Sequence, residues 1–452
     1  MRKLSIAIWL LVTLGLTGYL LAKFTGSDRR MFLPGPTSHG HYQIELNCNV
    51  CHTPMMSVKQ ESCLQCHEQE LRLADDSHPS AKFLDPRNAD RVAALDARNC
   101  ITCHVEHQPA RTHAIGLTLP VDYCFRCHSD IADERPTHKG LAFDSCATAG
   151  CHNFHDNRAL HEDFLAAHLG EPDHLDSQRL PARNLLALLK SDDRISKSKQ
   201  PATTPDAPPS AHQDDRLKQD WLTTAHARAG VNCNGCHATV AQGGEEKKWN
   251  DHPDHRACAS CHAAEVAGFL AGKHGMRLAQ ELRAMTPGEA RLSMRKEADH
   301  RELGCASCHA AHRFDVRAAA AQACTQCHND EHTRSYEGSP HHRLWLKELE
   351  GKAAADTGVS CATCHLPREI HRIEGESPVT VQHNQNDNLR PRDKMLRQVC
   401  GQCHGIGFAI DALADDELVR RNFRGLPVSH LKSMDMVRQR LESQPSNRKS
   451  QP

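Results

Sequence analysis

The chain has 452 residues, a formal net charge of −1, 39% hydrophobic residues and only 4% aromatic residues. Its length suffices for two or three ordinary domains, but so few aromatic side chains argue against conventional hydrophobic cores throughout. The unusual features are 22 cysteines and 34 histidines, which direct attention to cysteine chemistry and metal ligation.

The N terminus predicts export from the cytoplasm. Arg2 and Lys3 precede a largely apolar run over residues 4–22, and Lys23 with a polar stretch follows. The run is longer than the apolar region of a usual signal peptide and just long enough to cross a bilayer. Because no persuasive A-x-A cleavage site follows, we predict an uncleaved signal anchor within residues 1–30. The alternative is a cleaved signal peptide and a soluble periplasmic protein.

All 22 cysteines belong to eleven signatures typical of covalent haem attachment. In such a signature two thiols form thioether bonds to the porphyrin, and the histidine that follows becomes an axial ligand of the iron. Ten signatures have the form C-x-x-C-H, whereas the fifth has four residues between its cysteines. They are Cys48/Cys51/His52, Cys63/Cys66/His67, Cys100/Cys103/His104, Cys124/Cys127/His128, Cys146/Cys151/His152, Cys233/Cys236/His237, Cys258/Cys261/His262, Cys305/Cys308/His309, Cys324/Cys327/His328, Cys361/Cys364/His365 and Cys400/Cys403/His404.

Zinc sites and a disulfide framework are the alternatives for so many paired cysteines. Neither requires a histidine directly after the second cysteine, yet one stands there in all eleven cases. We therefore predict eleven covalently bound c-type haems, each with an iron. Their propionates are expected to pair with many of the 55 Lys and Arg residues, which leaves no support for a nucleic-acid partner.

The spacing of the signatures divides the chain. Five lie between residues 48 and 152, and six lie between residues 233 and 404. Residues 191–215, with four prolines and many polar residues, are typical of a flexible linker. We predict a pentahaem domain over 38–175, a partly disordered linker over 176–220, a hexahaem domain over 221–435 and a disordered tail over 436–452.

The expected fold class is mainly α with much irregular loop, organised around the haems, with short helices that carry the signatures. Alanine-rich residues 316–323 and residues 411–423 are typical of helices, and nothing in the sequence indicates an extended sheet. The architecture is then two haem domains and an N-terminal transmembrane helix.

The 23 histidines outside the signatures are candidates for the sixth iron ligand. We expect bis-histidine ligation at most irons, because eleven irons each need or accept a second axial ligand. The candidates for the first group are His41, His78, His107, His138, His155 and His168. The candidates for the second group are His226, His252, His274, His312, His332, His341 and His383. Thirteen candidates exceed eleven irons, and possible substitutes are His39, His255, His300, His342 and His371.

The first half resembles class III multihaem cytochromes and the related pentahaem electron donors. The resemblance rests on His39 and His41 before the first signature, on the C-H-x-x-H extensions ending at His107 and His155, and on the long fifth signature. It covers about residues 38–175 and implies an electron-transfer domain.

The second half resembles the hydroxylamine-oxidoreductase-like superfamily of multihaem cytochromes over residues 225–425. The resemblance is carried by GCASCHAAHRFD at 304–315, CTQCHNDEHTRSYEGSPHH at 324–342, VSCATCHLPR at 359–368 and VQHNQNDNLRP at 381–391, with the order Tyr336, Ser339, His341. It implies a mostly helical domain with closely packed haem pairs, and it allows assembly into homo-oligomers.

Electron transfer is the function that these patterns favour. Hydroxylamine oxidation in that superfamily needs a tyrosine late in the chain, but the four tyrosines here are Tyr19, Tyr42, Tyr123 and Tyr336, none after the last signature. No catalytic residue is therefore assigned. The expected partners are a quinone-linked dehydrogenase or other cytochromes, and the cytoplasmic membrane through the N-terminal helix. The alternatives are an oxidoreductase that acts on a small nitrogen or sulfur compound at an open haem and a filament subunit.

Overall fold

The structure is a computed structural model of the chain. It describes residues 2–26, 29–53, 56–74, 78–113, 116–146, 154–155, 162–182, 201–211, 214–239, 248–371, 377–389, 392 and 394–443. Within these ranges the chain is mainly helical with many turns and irregular stretches, as the sequence predicts.

Most helices are short. The α-helices are Arg2–Thr25, Gln60–Ala74, Ala89–Ala94, Cys100–Cys103, Phe125–His128, Ile131–Glu134, Glu162–Ala167, Asp215–Leu222, Ala225–Arg228, Cys233–His237, His255–Ala259, Ala263–Ala271, Met276–Ala279, Cys305–His309, Val316–Ala320, Gln322–Thr325, Glu331–Tyr336, Pro340–Leu349, Cys361–His365, Gln385–Leu389, Lys394–Gln398, Ile406–Ala414, Asp416–Arg420 and Ser433–Ser443. Turns of 3-10 helix are Arg30–Phe32, Cys48–Val50, Ser80–Leu84, Pro86–Asn88, Pro109–Arg111, Pro136–His138, Phe143–Ser145, Pro287–Glu289, Lys296–Ala298 and Cys400–Gln402.

Two antiparallel ladders are the β-strands of the described residues. Ala238–Thr239 pairs with Lys248–Trp249, and Arg368–Ile370 pairs with Val379–Val381. Both predicted helical segments are broken in two. In the first, Val316–Ala320 and Gln322–Thr325 are separated by Ala321, whose φ and ψ of −144° and −54° are not helical.

The helix Arg2–Thr25 is long and apolar enough to cross a membrane. None of its residues is buried against the rest of the chain, and its large apolar side chains, such as Trp9 and Leu14, are exposed. Exposed apolar side chains over such a length are stable in lipid rather than in water. The helix is also what a signal sequence would form, so anchoring stays a prediction.

Two compact units divide the chain. The first consists of residues 1–69 and 79–127. Its buried apolar side chains are few, with Ile44, Leu117 and Tyr123 the largest. Several buried positions are polar instead, among them Thr37 and Thr118. Side chains of this kind bury too little apolar surface to offset the entropy of folding on their own.

The second unit consists of residues 70–78 and 128–452 and has a larger side-chain core. Its main cluster is Leu165, Met395, Leu396, Val399, Ile406, Ala409, Ile410, Leu413, Met434 and Val437. A smaller cluster contains Tyr336 and Trp345, and the hydroxyl of Tyr336 donates to the carbonyl of Val359 at 2.8 Å. The apolar face of helix Ile406–Ala414 forms the centre of the main cluster.

Tertiary packing orders two stretches whose composition suggested disorder. Residues 201–211 are held by hydrogen bonds such as Asn232 Nδ2 to the carbonyl of Thr204 at 2.8 Å. Helix Ser433–Ser443 includes the start of the expected disordered tail, and it is stabilised because Met434 and Val437 are buried in the main cluster. These contacts give residues 201–211 and Ser433–Ser443 a defined place, and the domain boundaries with a partly disordered linker and a disordered tail stay predictions.

Candidate haem-binding sites

Most attachment signatures fold as a single helical turn. The backbone N–H of the signature histidine donates to the carbonyl of the first cysteine at 2.8 Å in His52 and at 2.9 Å in His104, His262 and His328. Residues separated by three and four positions lie on the same face of a turn. Both thiols and the imidazole therefore face the same side, as attachment to one porphyrin requires.

In four signatures the helical segment ends before the second cysteine, which differs from the expectation that a short helix carries the whole motif. The second cysteines concerned are Cys51, Cys261, Cys327 and Cys403. The backbone N–H of each still donates to the carbonyl of the first cysteine of its signature, at 3.1 to 3.2 Å. Such bonds between residues three positions apart form a tighter turn than the α-helix. The turn rather than a helix thus keeps these second thiols beside the first.

Cys261 and Cys327 are the two of these cysteines that belong to the middle of the second group. Cys261 is exposed, with its Sγ 3.8 Å from the hydroxyl of Ser260, and it lies close enough to Cys236 for their charges to interact. Cys327 is half-buried and lies equally close to Cys308. Both positions are accessible to a porphyrin, and covalent attachment there stays a prediction.

The cysteines of the described residues do not form disulfides with one another. This arrangement gives no support to the disulfide framework that the sequence left as an alternative. Cys124, Cys127 and Cys146 of the first group are half-buried like most of the others. Thiols that are only half-buried are accessible enough for attachment to a cofactor.

Of the ten signature histidines that the structure describes, nine face a second histidine. The pairs, with the distance between ring centroids, are His52 with His107 (6.4 Å), His67 with His41 (5.9 Å), His128 with His78 (6.1 Å), His237 with His312 (5.8 Å), His262 with His226 (6.1 Å), His309 with His383 (6.2 Å), His328 with His274 (6.2 Å), His365 with His332 (6.0 Å) and His404 with His341 (6.3 Å). Every second member is one of the candidate sixth ligands.

These distances fit a metal between the two rings. Metal–imidazole bonds of about 2 Å, with about 1.1 Å from each ring nitrogen to its centroid, separate two centroids by roughly 6 Å. Rings stacked face to face with nothing between them would be closer, as His78 and Phe154 are at 4.2 Å. The residues present therefore fit a haem iron at each pair.

Hydrogen bonds at Nδ1 set the orientation of many of these rings. His78, His107, His237, His332 and His383 each place Nδ1 at 2.5 to 2.8 Å from a backbone carbonyl oxygen. A carbonyl only accepts, so Nδ1 carries the proton and Nε2 is left with a free lone pair. Such an outer partner fixes both tautomer and ring orientation at metal sites.

Burial keeps several of the rings neutral. It lowers the pKa of His274, His309, His341 and His365 to about 4, and a neighbouring histidine adds to the effect in each case. Only neutral imidazole binds a metal. These four rings are thus in the ligating form at neutral pH.

The C-H-x-x-H extensions have a common backbone feature. His107 and His312, each three residues after a signature histidine, have φ of 61° and 65°. This left-handed conformation is uncommon outside glycine and often marks functional positions. It turns each ring away from its own signature, so that His107 faces His52 and His312 faces His237.

The remaining candidates are placed as follows. Cys151 and His152 lie outside the described residues, and the second ligands of the irons at His104 and His152 stay predictions. His138 lies near Thr137, with Nδ1 3.1 Å from its hydroxyl, and His155 contacts Phe154. His168 stacks near Phe164 at 4.3 Å. In the second group His252 is exposed, and all six signature histidines there face another residue from the candidate set.

Among the possible substitutes, two have ring nitrogens that other bonds occupy. His371 Nε2 lies 2.7 Å from the hydroxyl of Thr380, and His342 Nδ1 accepts from the backbone N–H of Gly338 at 2.9 Å. His39 lies near Tyr42, with 5.7 Å between ring centroids. His255 is partly buried and His300 is exposed.

Successive signatures of the second group are neighbours in space. The thiols of Cys258 and Cys305 lie close enough to interact, as do those of Cys324 and Cys361. Cys236 lies close enough to Cys258 for their charges to interact, and the same holds for Cys308 with Cys324 and for Cys364 with Cys400. The six attachment sites thus follow one another in chain order.

Sites of the first unit are also neighbours. The thiols of Cys63 and Cys100 lie close enough to interact, and so do those of Cys51 and Cys66. The first three signatures therefore lie together.

Sequence reasoning missed two functional neighbours of these rings. Glu106 accepts a hydrogen bond from His41 Nδ1 at 2.6 Å. Burial alone would raise the pKa of the Glu106 carboxyl, but the hydrogen bonds from His41 and Ser38 outweigh it and lower the pKa to about 2. His174 lies 4.7 Å from His404, too close for an iron between them. The position of Glu106 inside C-H-V-E-H was the only available signal.

Comparison with known proteins identifies one segment. Residues 40–129 match the family model described as cytochrome c3. No curated protein and no solved structure matches the chain. The matched segment begins just before His41 and ends just after His128, so it contains the first four signatures and three of the histidine pairs. This match supports a multihaem c-type cytochrome, with covalently bound haems and a role in electron transfer.

Proposed function

We propose that the protein carries eleven c-type haems, most of them with two histidine ligands, and transfers electrons through them in the periplasm. The N-terminal helix Arg2–Thr25 would hold it at the cytoplasmic membrane. The electron donor would be a quinone-linked dehydrogenase or another cytochrome, and the acceptor a further redox protein. A haem supplies a one-electron couple at its iron, and the polypeptide supplies position and tuning.

The observation that carries the proposal is the set of nine histidine pairs. Two axial imidazoles saturate the iron, which leaves no coordination position for a small substrate at these nine sites. Electron transfer needs no open position, whereas hydroxylamine or nitrite chemistry does. The pairs therefore favour an electron carrier over an enzyme.

The order of the sites is a second support. Attachment cysteines of the six signatures in the second group lie close enough to interact in sequence, from Cys236 and Cys258 to Cys364 and Cys400. Sites this close would bring the edges of successive porphyrins together. The rate of electron tunnelling falls steeply with distance, so such a row would conduct rapidly.

The proposal is tested on the purified full-length protein from a host that attaches c-type haems. Mass spectrometry should give the chain mass plus eleven haems. Optical and electron paramagnetic resonance (EPR) spectra should show only low-spin ferric iron, unchanged by hydroxylamine, nitrite or sulfite. A high-spin haem that responds to one of these compounds would overturn the pure carrier and favour the oxidoreductase. A haem count below eleven would overturn the stoichiometry.

The membrane location is tested separately. Cell fractionation should find the wild-type protein in the membrane fraction and a variant without residues 2–25, fused to a cleavable signal peptide, in the soluble periplasm. Wild-type protein in the soluble fraction with a new N terminus after residue 25 would show that the helix is a cleaved signal peptide.

A further inference from the structure

One distal histidine has a charged partner. His41 Nδ1 lies 2.6 Å from Glu106 Oε1, and this is the one paired imidazole of the described residues with a carboxylate within hydrogen-bond distance of Nδ1. The backbone N–H and hydroxyl of Ser38 also donate to Glu106, at 2.5 and 2.7 Å. The carboxylate is therefore held in place against the ring that faces His67.

The chain contains a counterpart of this site without the carboxylate. His41 lies seven residues before Cys48 and pairs with the second signature of its group, and His226 lies seven residues before Cys233 and likewise pairs with the second signature of its group. Glu106 stands two residues after the third signature histidine, where the second group has Ala311. Nδ1 of His226 is buried and has no hydrogen-bond partner among the described residues.

The surroundings of His226 are apolar where those of His41 are charged. The ring of Phe314 packs on His226 with 4.6 Å between centroids. The two histidines thus occupy equivalent places in the ligation pattern but differ in what their Nδ1 meets.

A carboxylate at Nδ1 makes the imidazole a stronger electron donor. A donor of this kind stabilises the ferric state more than the ferrous state, because the ferric iron carries one more positive charge. A buried Nδ1 without an acceptor gives no such help. The potential of the haem at His67 is then lower than that of the haem at His262.

We propose that Glu106 is a positioning residue that acts through His41 to make the second haem a low-potential site, below its counterpart, the seventh haem. The proposal rests on the proposed function, since it requires His41 and His226 to be iron ligands. Residues 104–107 would then serve three haems: His104 ligates the third, Glu106 tunes the second, and His107 ligates the first.

The test uses the full-length holoprotein and begins by assigning signals. His41→Ala and His226→Ala should each abolish one low-spin ferric EPR signal and create a high-spin one. The two lost signals mark the second and seventh haems. A redox titration of wild-type protein followed at these signals should find the second haem at the lower potential.

Glu106→Gln then removes the charge and keeps a group of the same size. At the wild-type midpoint of the second haem, the ratio of reduced to oxidised iron should rise about tenfold, with the seventh haem unchanged. Glu106→Asp, whose carboxylate is one methylene shorter, should shift the ratio in the same direction by less. Glu45→Gln is the matched control, because Glu45 accepts from the backbone N–H and hydroxyl of Thr37 at 3.1 and 3.0 Å and contacts no paired histidine by a hydrogen bond.

The outcomes separate the two proposals. If His41→Ala leaves all low-spin signals intact, the ligation of the proposed function fails at this site. If His41→Ala behaves as expected but Glu106→Gln leaves the midpoint unchanged, the role of Glu106 fails alone. An equal shift in Glu45→Gln would also overturn it, since the effect would be one of general charge. Haem content and thermal unfolding of each variant establish that the fold is intact.

Discussion

Two segments of the chain, residues 40–129 and 226–328, pair their histidines by the same pattern. In each, a histidine before the first signature pairs with the second, the C-H-x-x-H histidine of the third pairs with the first, and a histidine between the second and third pairs with the fourth. These partners are His41, His107 and His78 in the first segment, and His226, His312 and His274 in the second.

The segments differ in the hydrogen bonds that Nδ1 of these partner histidines forms. In the first segment His41, His78 and His107 donate to Glu106, Phe154 and Gly35. In the second segment Nδ1 of His226 and His312 is buried with no hydrogen-bond partner among the described residues. If these histidines ligate haem irons as proposed, one pattern of pairing gives two sets of outer partners, and outer partners tune a metal site. The two halves of the chain, which resemble different families in sequence, thus share one pattern of histidine pairing.

The strongest way to break the comparison is to remove equivalent ligands. His41→Ala and His226→Ala should each convert one haem completely from low spin to high spin, because each leaves one iron with a single axial histidine. EPR and optical spectra of the ferric protein measure this.

His252→Ala is the control for both variants, since His252 is exposed. It should leave every signal unchanged. A high-spin haem in His252→Ala would show that the pairing in the second segment is not the one described.

A second prediction concerns where the two segments stop being alike. The second segment is followed by the cluster around Ile410, which is 1% exposed, whereas the first unit has no cluster of that size among its described residues. Ile410→Ala should lower the free energy of unfolding by about 2 to 5 kcal/mol, through lost burial and the cavity left behind.

Chemical denaturation followed by far-ultraviolet circular dichroism measures this change. Ile370→Ala, at a position that is 57% exposed, is the matched control and should change stability by less than about 0.5 kcal/mol. Equal effects of the two substitutions would contradict a side-chain core at Ile410.

Ring planes give a third, spectroscopic prediction. The planes are at 26° and 4° in the pairs of His52 and His237, and at 72° and 82° in those of His67 and His262. Near-parallel imidazoles give rhombic low-spin EPR signals and near-perpendicular ones give strongly anisotropic signals. The two pairs named for each segment should therefore contribute one signal of each kind.

The fourth pairs sharpen this prediction, because their planes differ. They are at 79° for His128 and 50° for His328. His78→Ala should remove a strongly anisotropic EPR signal, and His274→Ala should remove a signal of intermediate anisotropy. The same component lost in both variants would contradict the geometry.

The smallest effect is expected at His430, far from any pair. Its ring nitrogens donate hydrogen bonds to Asp411 and Asp435, which raise its pKa from 6.5 to about 8. A raised pKa stabilises the fold fully below about pH 6.5, and the contribution is lost as the pH rises through about 8. It should amount to less than about 1 kcal/mol because the ring is exposed.

Thermal unfolding at about pH 6 and pH 9 measures this contribution. The difference between the unfolding midpoint temperatures at the two pH values should be smaller in His430→Asn than in the wild type. An unchanged difference would show that Asp411 and Asp435 do not hold the helix Ser433–Ser443 through this ring.

The sequence by itself is enough to predict the attachment positions, the helical class and the exported N-terminal segment. An attachment signature spans five to seven residues, and a helical turn brings those residues to one face whatever surrounds them. The candidate ligands can also be predicted from the sequence, because histidines near attachment signatures are the expected second ligands of the irons. The sequence does not assign these candidates to particular haems. His226 reaches His262, and His309 reaches His383, only after the chain has folded.

Only the tertiary structure decided the pairing, the order of the sites and the partners of Nδ1. Glu106 illustrates the reason, because nothing in C-H-V-E-H says that its carboxylate contacts a histidine 65 residues earlier. Order in residues 201–211 and in Ser433–Ser443 likewise depends on long-range contacts, which offset the entropy that their composition would otherwise leave uncompensated. Short motifs specify the attachment chemistry, whereas the tuning of each site depends on which distant groups the fold brings into contact with it.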